Sequence, residues 1–205
     1  MPYSDFDLRR VKQELGIHLT EQQGLFHLIS ETEITPLLVE ILAENVPLAR
    51  AINTEKARSE LIITNILVEL RKKLHHRISL FSGVEFNVDK TKGLTGFCDF
   101  IISASGEQLL LNSPVIAIVE AKNENIIGGL GQCIAEMVAA ALFNRTENNP
   151  IETLYGVVTT GTTWKFLKLT GLEVIIDLDD YSIDNPRKIL GILLSMLPHE
   201  IMDRN

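Results

Sequence analysis

The chain has 205 residues, 45% hydrophobic and 22% charged, which is enough apolar material for one domain with a full core and excludes wholesale disorder. Its 27 acidic and 19 basic side chains leave a formal net charge of −8, which argues against a protein that coats nucleic acid by bulk electrostatics. Two cysteines, Cys98 and Cys133, cannot build a disulfide framework or a four-cysteine zinc site. No run approaches the roughly 18 apolar residues of a membrane span. The first residues lack the basic-then-apolar pattern of a signal peptide, so the expected setting is reducing and cytoplasmic, with no membrane.

Residues 4–15 read as a short helix: Ser4 can cap it, Leu8, Val11 and Leu15 fall at helical spacing, and Gly16 can stop it. A second helix is expected over 35–52, with Pro36 in its first turn and Pro47 breaking or kinking it. A longer helix follows over 54–75, capped by Thr54 and striped with Ile63, Ile66, Leu67, Leu70 and Leu74. The period then changes. Residues 77–89 and 94–104 read as strands, with a turn near Gly106 and Glu107 after them. Residues 115–122 open on five apolar residues without alternation, the pattern of a central strand covered on both faces. An Ala-rich helix over 130–144 is expected to start after Gly128 and Gly129. Strands over 154–160, 163–169 and 172–178 follow, with turns at Thr160-Gly161 and Thr170-Gly171. Pro186 opens a C-terminal helix carrying Ile189, Leu190, Leu193, Leu194 and Leu197, which either closes the domain's own sheet or presents a partner surface. No repeat or linker divides the chain. The order predicts an α/β domain, a mixed central sheet with helices on both faces.

The segment Gly96-Phe97-Cys98-Asp99-Phe100 and the later Glu120-Ala121-Lys122 carry the chemistry. Side chains two apart on a strand share a face, so Glu120 and Lys122 project together and Ala121 points the other way. They stand at the end of the most apolar strand, where an uncompensated buried charge is expensive. The pair is either a functional site or a Glu-Lys pair where the strand emerges into solvent. Asp99 lies among Phe97, Cys98, Phe100, Ile101 and Ile102, so it is either at an edge or held by a partner. If its strand pairs with 115–122, Asp99 and Glu120 converge. Two carboxylates repel, and a divalent cation is the simplest relief. Oxygen ligands suit Mg²⁺ or Mn²⁺ rather than zinc, and Lys122 could then position a water and stabilise an anionic transition state.

The set Asp99, Glu120, Ala121 and Lys122 resembles the PD-(D/E)XK nuclease superfamily, whose fold is that of type II restriction endonucleases. The element order over 54–170 is similar to its restriction-endonuclease-like αβββαβ core, with 1–53 as an N-terminal helical extension and 171–205 as a C-terminal strand and helix. The resemblance implies that Asp99 and Glu120 are metal-binding acids, the Ala121 carbonyl a main-chain ligand and Lys122 the catalytic lysine. Glu60 is similar to the accessory acid on the first core helix. Gln132 is similar to the glutamine of RecB-like members, but Glu136 stands where those carry a tyrosine. Cys98, not proline, precedes Asp99. The resemblance also implies a Mg²⁺- or Mn²⁺-dependent endonuclease acting on DNA, as a homodimer or within a larger assembly.

Read by themselves, these residues are less specific. Glu60 borders the apolar stripe, so it either reaches into the site or serves as an acid in the helix's first turns. Gln132 and Glu136 share a helix face; Gln132 can orient a phosphate or a water, and Glu136 reads as solvated or salt-bridged. The run Arg71, Lys72, Lys73, His75, His76 and Arg77 reads as cations suited to a helix C-terminus rather than a dedicated DNA contact. Lys90 and Lys92 are better placed to meet a phosphate. Trp164 reads as packing, Cys98 and Cys133 as small buried hydrophobes, and His18, His27 and His199 show no metal-ligand spacing. The functional alternatives are a metal-dependent nuclease, a nuclease-like binding or assembly module without cleavage, and a sugar or nucleotide phosphodiesterase.

Overall fold

The computed structural model describes residues 2–198 and 201; His199 lies outside them. Helix α1 (Leu8–Glu14) is capped by Asp7, whose side chain accepts the Arg10 N–H at 2.8 Å. Ser4 does not serve as the cap. It sits in a 3-10 turn, Tyr3–Asp5, held apart because Tyr3 is buried and its hydroxyl donates to the Phe86 carbonyl at 2.6 Å. Helix α2 (Pro36–Ile52) is capped by Thr35 and runs through Pro47 without a break. Pro47 and Ala43 are both exposed, so water can serve the carbonyl that the proline ring leaves without a donor.

The long helix begins as expected at the Thr54 cap, but it is not uniform. Helix α3 (Glu55–Arg58) passes through one π turn, Ser59–Ile63, into α4 (Thr64–Lys73). The extra residue is accommodated by side chains. Thr64 donates its hydroxyl to the Ser59 carbonyl at 2.9 Å, and the amides of Asn65 and Asn45 donate to the Leu61 carbonyl at 2.9 and 3.0 Å. Ile63, Ile66, Leu67, Leu70 and Leu74 are all buried.

One mixed sheet collects β1 (His18–Gln22), β2 (Ser79–Glu85), β3 (Phe97–Ser103), β4 (Val115–Ala121), β5 (Thr153–Thr159), β6 (Thr163–Thr170), β7 (Glu173–Asp177) and β8 (Tyr181–Ser182). The spatial order is β1-β7-β6-β5-β4-β3-β2, with β8 beside β6. The β4–β5 and β1–β7 pairs are parallel and the others antiparallel. Every residue of β4 is buried, as its unbroken apolar run requires. The sequence reading had no strand at β1 or β8. His18–Gln22 holds one apolar residue and lies at the exposed edge, and β8 is only two residues long.

Helix α5 (Ile126–Thr146) joins β4 to β5 and starts before the glycines rather than after them, capped by Asn125, whose side chain accepts the Gly128 N–H at 2.9 Å. Its glycines are there for closeness. A Cβ on Gly129 would lie 2.9 Å from Lys122 Cε, and one on Gly131 would lie 2.4 Å from the Asp7 backbone. By length and composition α5 could cross a membrane, but it packs on β4 and β5 with most of its apolar surface in the core. Helix α6 (Pro186–Ser195) buries Ile189, Leu190, Ile192 and Leu193. The core thus has two layers. Ala117, Val119 and Ala121 of β4 face the layer of α2, α4 and α6, whereas Ile118 faces that of α1 and α5. Glu120 alternates with Ala121, so it enters the α5 layer.

Candidate active site

The site lies where β3 and β4 part. Their ladder ends, toward this end, at Phe100 and Val119. One step on, the Asp99 carboxylate replaces a main-chain partner and accepts the Ala121 N–H at 2.8 Å. The other neighbour of Asp99 is irregular too. The β2–β3 ladder skips Gly83, which has φ +62°, between the pairs Ser82–Phe100 and Val84–Cys98. On its far side β4 stays fastened to β5, and Lys122 N–H donates to the Thr159 carbonyl at 2.8 Å. The backbone bearing Glu120, Ala121 and Lys122 is therefore gripped on both sides.

Glu120 and Lys122 point toward α5 and pair with each other. The Lys122 ammonium also donates to Gln132 Oε1 at 3.2 Å, and Gln132 Nε2 donates to Glu136 Oε1 at 3.0 Å. A four-residue chain thus runs from the strand end into the core. Glu120 is 1% exposed and Glu136 0%. Glu136 is therefore not solvated, and among the described residues it has no salt bridge, contrary to the sequence reading; α5 is apolar nearly all round, so no wet face is left for it. Oε2 of Glu120 and Oε2 of Glu136 are both buried without a hydrogen-bond partner among the described residues.

The electrostatics follow from that burial. Desolvation, then the neighbouring Asp99, push Glu120 up to about 8 against the pull of Lys122. Desolvation, then Glu120, raise Glu136 well above the carboxylate range. Desolvation works against the Lys122 ammonium, but Glu120, Glu55 and Asp99 together outweigh it and raise Lys122. Burial likewise pushes the thiols of Cys98 and Cys133 up, so they are inert neighbours of the site.

Asp99, Glu120, Ala121, Lys122 and Gln132 are thus brought together. Glu60 is not part of this chain. It is mostly exposed, pairs with Lys56 at 3.7 Å, and shares with Asp99 and Ala121 the wall of a cleft of about 270 Å³. Glu55 lines the same cleft, and its charge raises both Glu120 and Lys122. Beside the Thr54 cap, Glu55 has the sequence signature of an ordinary first-turn residue, and only the fold places it on this cleft. The π turn inserts a residue between the helix halves, so wheel positions counted back from Ile63 do not carry through to Glu60 or Glu55. The oxygens available to a cation are the carboxylates of Asp99 and Glu120 and the Ala121 carbonyl. Among the described residues, no three His, Cys, Asp or Glu side chains form a ready metal-binding cluster.

The remaining candidates have structural work. Arg71 donates to the Ile78 carbonyl at 3.2 Å and Arg77 to the Leu74 carbonyl at 3.0 Å, stitching the end of α4. Lys92 pairs with Asp89 at 3.8 Å, on the 3-10 turn it shares with Lys90. Trp164 is buried and donates to the Gly161 carbonyl at 2.9 Å. No protein-family model, curated protein or solved structure matches this chain.

Proposed function

We propose that the chain is a metal-dependent nuclease that hydrolyses phosphodiester bonds of DNA, with a restriction-endonuclease-like core of the PD-(D/E)XK type. One observation carries the reading. A buried Glu-Ala-Lys strand end keeps an unpartnered carboxylate oxygen, and it forks from a strand that brings a second acid to the same backbone. The succession of long helix, three strands, helix and strand supports the same reading.

Asp99, Glu120 and the Ala121 carbonyl are the groups that would hold Mg²⁺ or Mn²⁺. The orphan Oε2 of Glu120 and the mutual repulsion of two acids suit a hard cation that keeps waters among its ligands. When bound, the ion supplies Lewis acidity at the scissile phosphate and offsets charge on the leaving oxygen. Lys122 is held protonated by Glu120, so it donates rather than accepts. It can hold an attacking water or an anionic phosphate oxygen in place, and it is not the base. Gln132 limits the sweep of its side chain.

The test is cleavage of single- and double-stranded DNA with Mg²⁺ or Mn²⁺, comparing wild type with Lys122→Ala. Loss of at least about 100-fold in the variant is expected. Equal cleavage by both proteins, or none by either, sinks the proposal. The net charge of −8 favours a second reading, a nuclease-like module that binds without cutting. Calorimetric titration with Mn²⁺, with and without DNA, separates the two, because the second reading expects no heat of metal binding in either state.

A further inference from the structure

A lysine ammonium has three donors. In Lys122 one goes to Glu120 and one to Gln132, and among the described residues the third meets no protein acceptor. Two fixed bonds on a tetrahedral nitrogen aim the remaining one. That aim is only as good as the Gln132 amide, which has an accepting end and a donating end. Lys122 can only donate, so it needs the oxygen end. The amide keeps that orientation because its nitrogen end is occupied, donating to Glu136 Oε1 at 3.0 Å. Among the described residues the Glu136 side chain has no other hydrogen-bond partner, and it has no solvent exposure. A fully buried acid with a single bond is a costly choice where an apolar side chain of similar volume would pack.

The geometry points to Glu136 as a positioning residue: it locks the Gln132 amide, which aims the third Lys122 N–H toward the anionic group the site receives. This rests on the proposed reading of Lys122 as the lysine that meets a phosphate oxygen or its water. Burial favours the neutral acid, and a neutral carboxyl still offers its carbonyl oxygen to the Gln132 amide. Glu136→Gln keeps such an acceptor; Glu136→Leu does not.

The experiment reads Lys122 directly. In a ¹H–¹⁵N spectrum of lysine ammonium groups, the Lys122 signal is identified by its loss in Lys122→Met. It is expected in wild type and in Glu136→Gln, and lost to solvent exchange in Glu136→Leu. Gln132→Leu, at a half-buried position, gives the same reading should Glu136→Leu not fold. Persistence in the leucine variants, loss in Glu136→Gln, or absence from wild type overturns the inference. Steady-state kinetics on DNA add a second readout. Glu136→Leu is expected to lower kcat by about 10- to 100-fold with KM nearly unmoved, and Glu136→Gln to stay within about 3-fold of wild type. The spectra judge the positioning role even if no protein cleaves, in which case it is the proposed function that fails. A cleaving wild type whose leucine variant keeps its kcat overturns the positioning role.

Discussion

Lys165 lies within the interior strand β6 and Lys122 directly follows the interior strand β4, and the molecule uses the two lysines in opposite ways. Lys165, with its side chain 7% exposed, donates to the main-chain carbonyls of Asp177, Leu178 and Asp179 at 3.1, 3.1 and 3.3 Å and pairs with Asp180 at 2.7 Å. Every donor is spent on a loop that cannot move without losing it. Lys188 repeats the device on the carbonyls of Phe26, His27 and Ile29. Lys122 is 24% exposed, its side-chain partners are Glu120 and Gln132, and it keeps a donor in hand. Burial of a lysine therefore does not mark a site. What does is the donor count: Lys165 spends every donor on a clamp, whereas Lys122 spends two and keeps the third for a ligand.

Exchanging the two lysines is the sharpest way to break this contrast. Lys122→Met is expected to cost at least about 100-fold in DNA cleavage with little change in Tm, since Glu120 accepts a proton when its partner goes. Lys165→Met is expected to lose about 3 kcal/mol in denaturant unfolding, because three carbonyls and Asp180 lose their donor. A destabilisation by Lys122→Met as large as that by Lys165→Met would erase the distinction. Next is the pH dependence of the buried acid. The folded protein holds the Glu136 proton above the usual carboxylate range, so the native state binds more protons than the unfolded one. Its contribution is complete at acid pH and shrinks as pH rises past the ordinary glutamate range. The Tm advantage of Glu136→Gln over wild type should accordingly be near zero at about pH 4 and widen toward pH 8; thermal scans across that range that stay parallel contradict the assignment. Mn²⁺ should raise Tm more at pH 8 than at pH 5.5, because protons compete for Glu120, and Glu120→Gln should abolish the shift. The smallest effect separates the two helix acids. Glu55→Gln is expected to change Mn²⁺ affinity by about 3-fold, measured by calorimetry, with Glu60→Gln inside the error.

Much of this arrangement was legible. Five apolar residues without alternation place β4 in the middle of the sheet, and the two-residue repeat puts Glu120 and Lys122 on one face. Asp99 was legible as an acid where apolar residues surround it. The rest failed for identifiable reasons. Hydrophobic pattern ranks Glu136 as polar and hence wet, but α5 is enclosed by the sheet, α1 and the N-terminal segment, so only tertiary packing reveals its burial. Gly128 and Gly129 set the expected helix start too late, because the Asn125 cap lies ahead of them, but the close approach that glycines allow is legible, and Gly129 makes it against Lys122 and Val158. Strand β1 carries no alternating pattern, because the edge position asks for none.

The π turn has a consequence for how this chain can change. Removing one residue from Ser59–Ile63 would restore ordinary pitch, and everything upstream would turn by about 100° and advance by about 1.5 Å. Glu55 would swing off the cleft, and α2, joined through only Asn53 and Thr54, would be dragged round with it. The helix pair behaves as a gear set one tooth forward. Point substitutions on its surface should be absorbed, whereas a single-codon deletion there should uncouple the acid from the lysine while leaving every other side chain of the site intact.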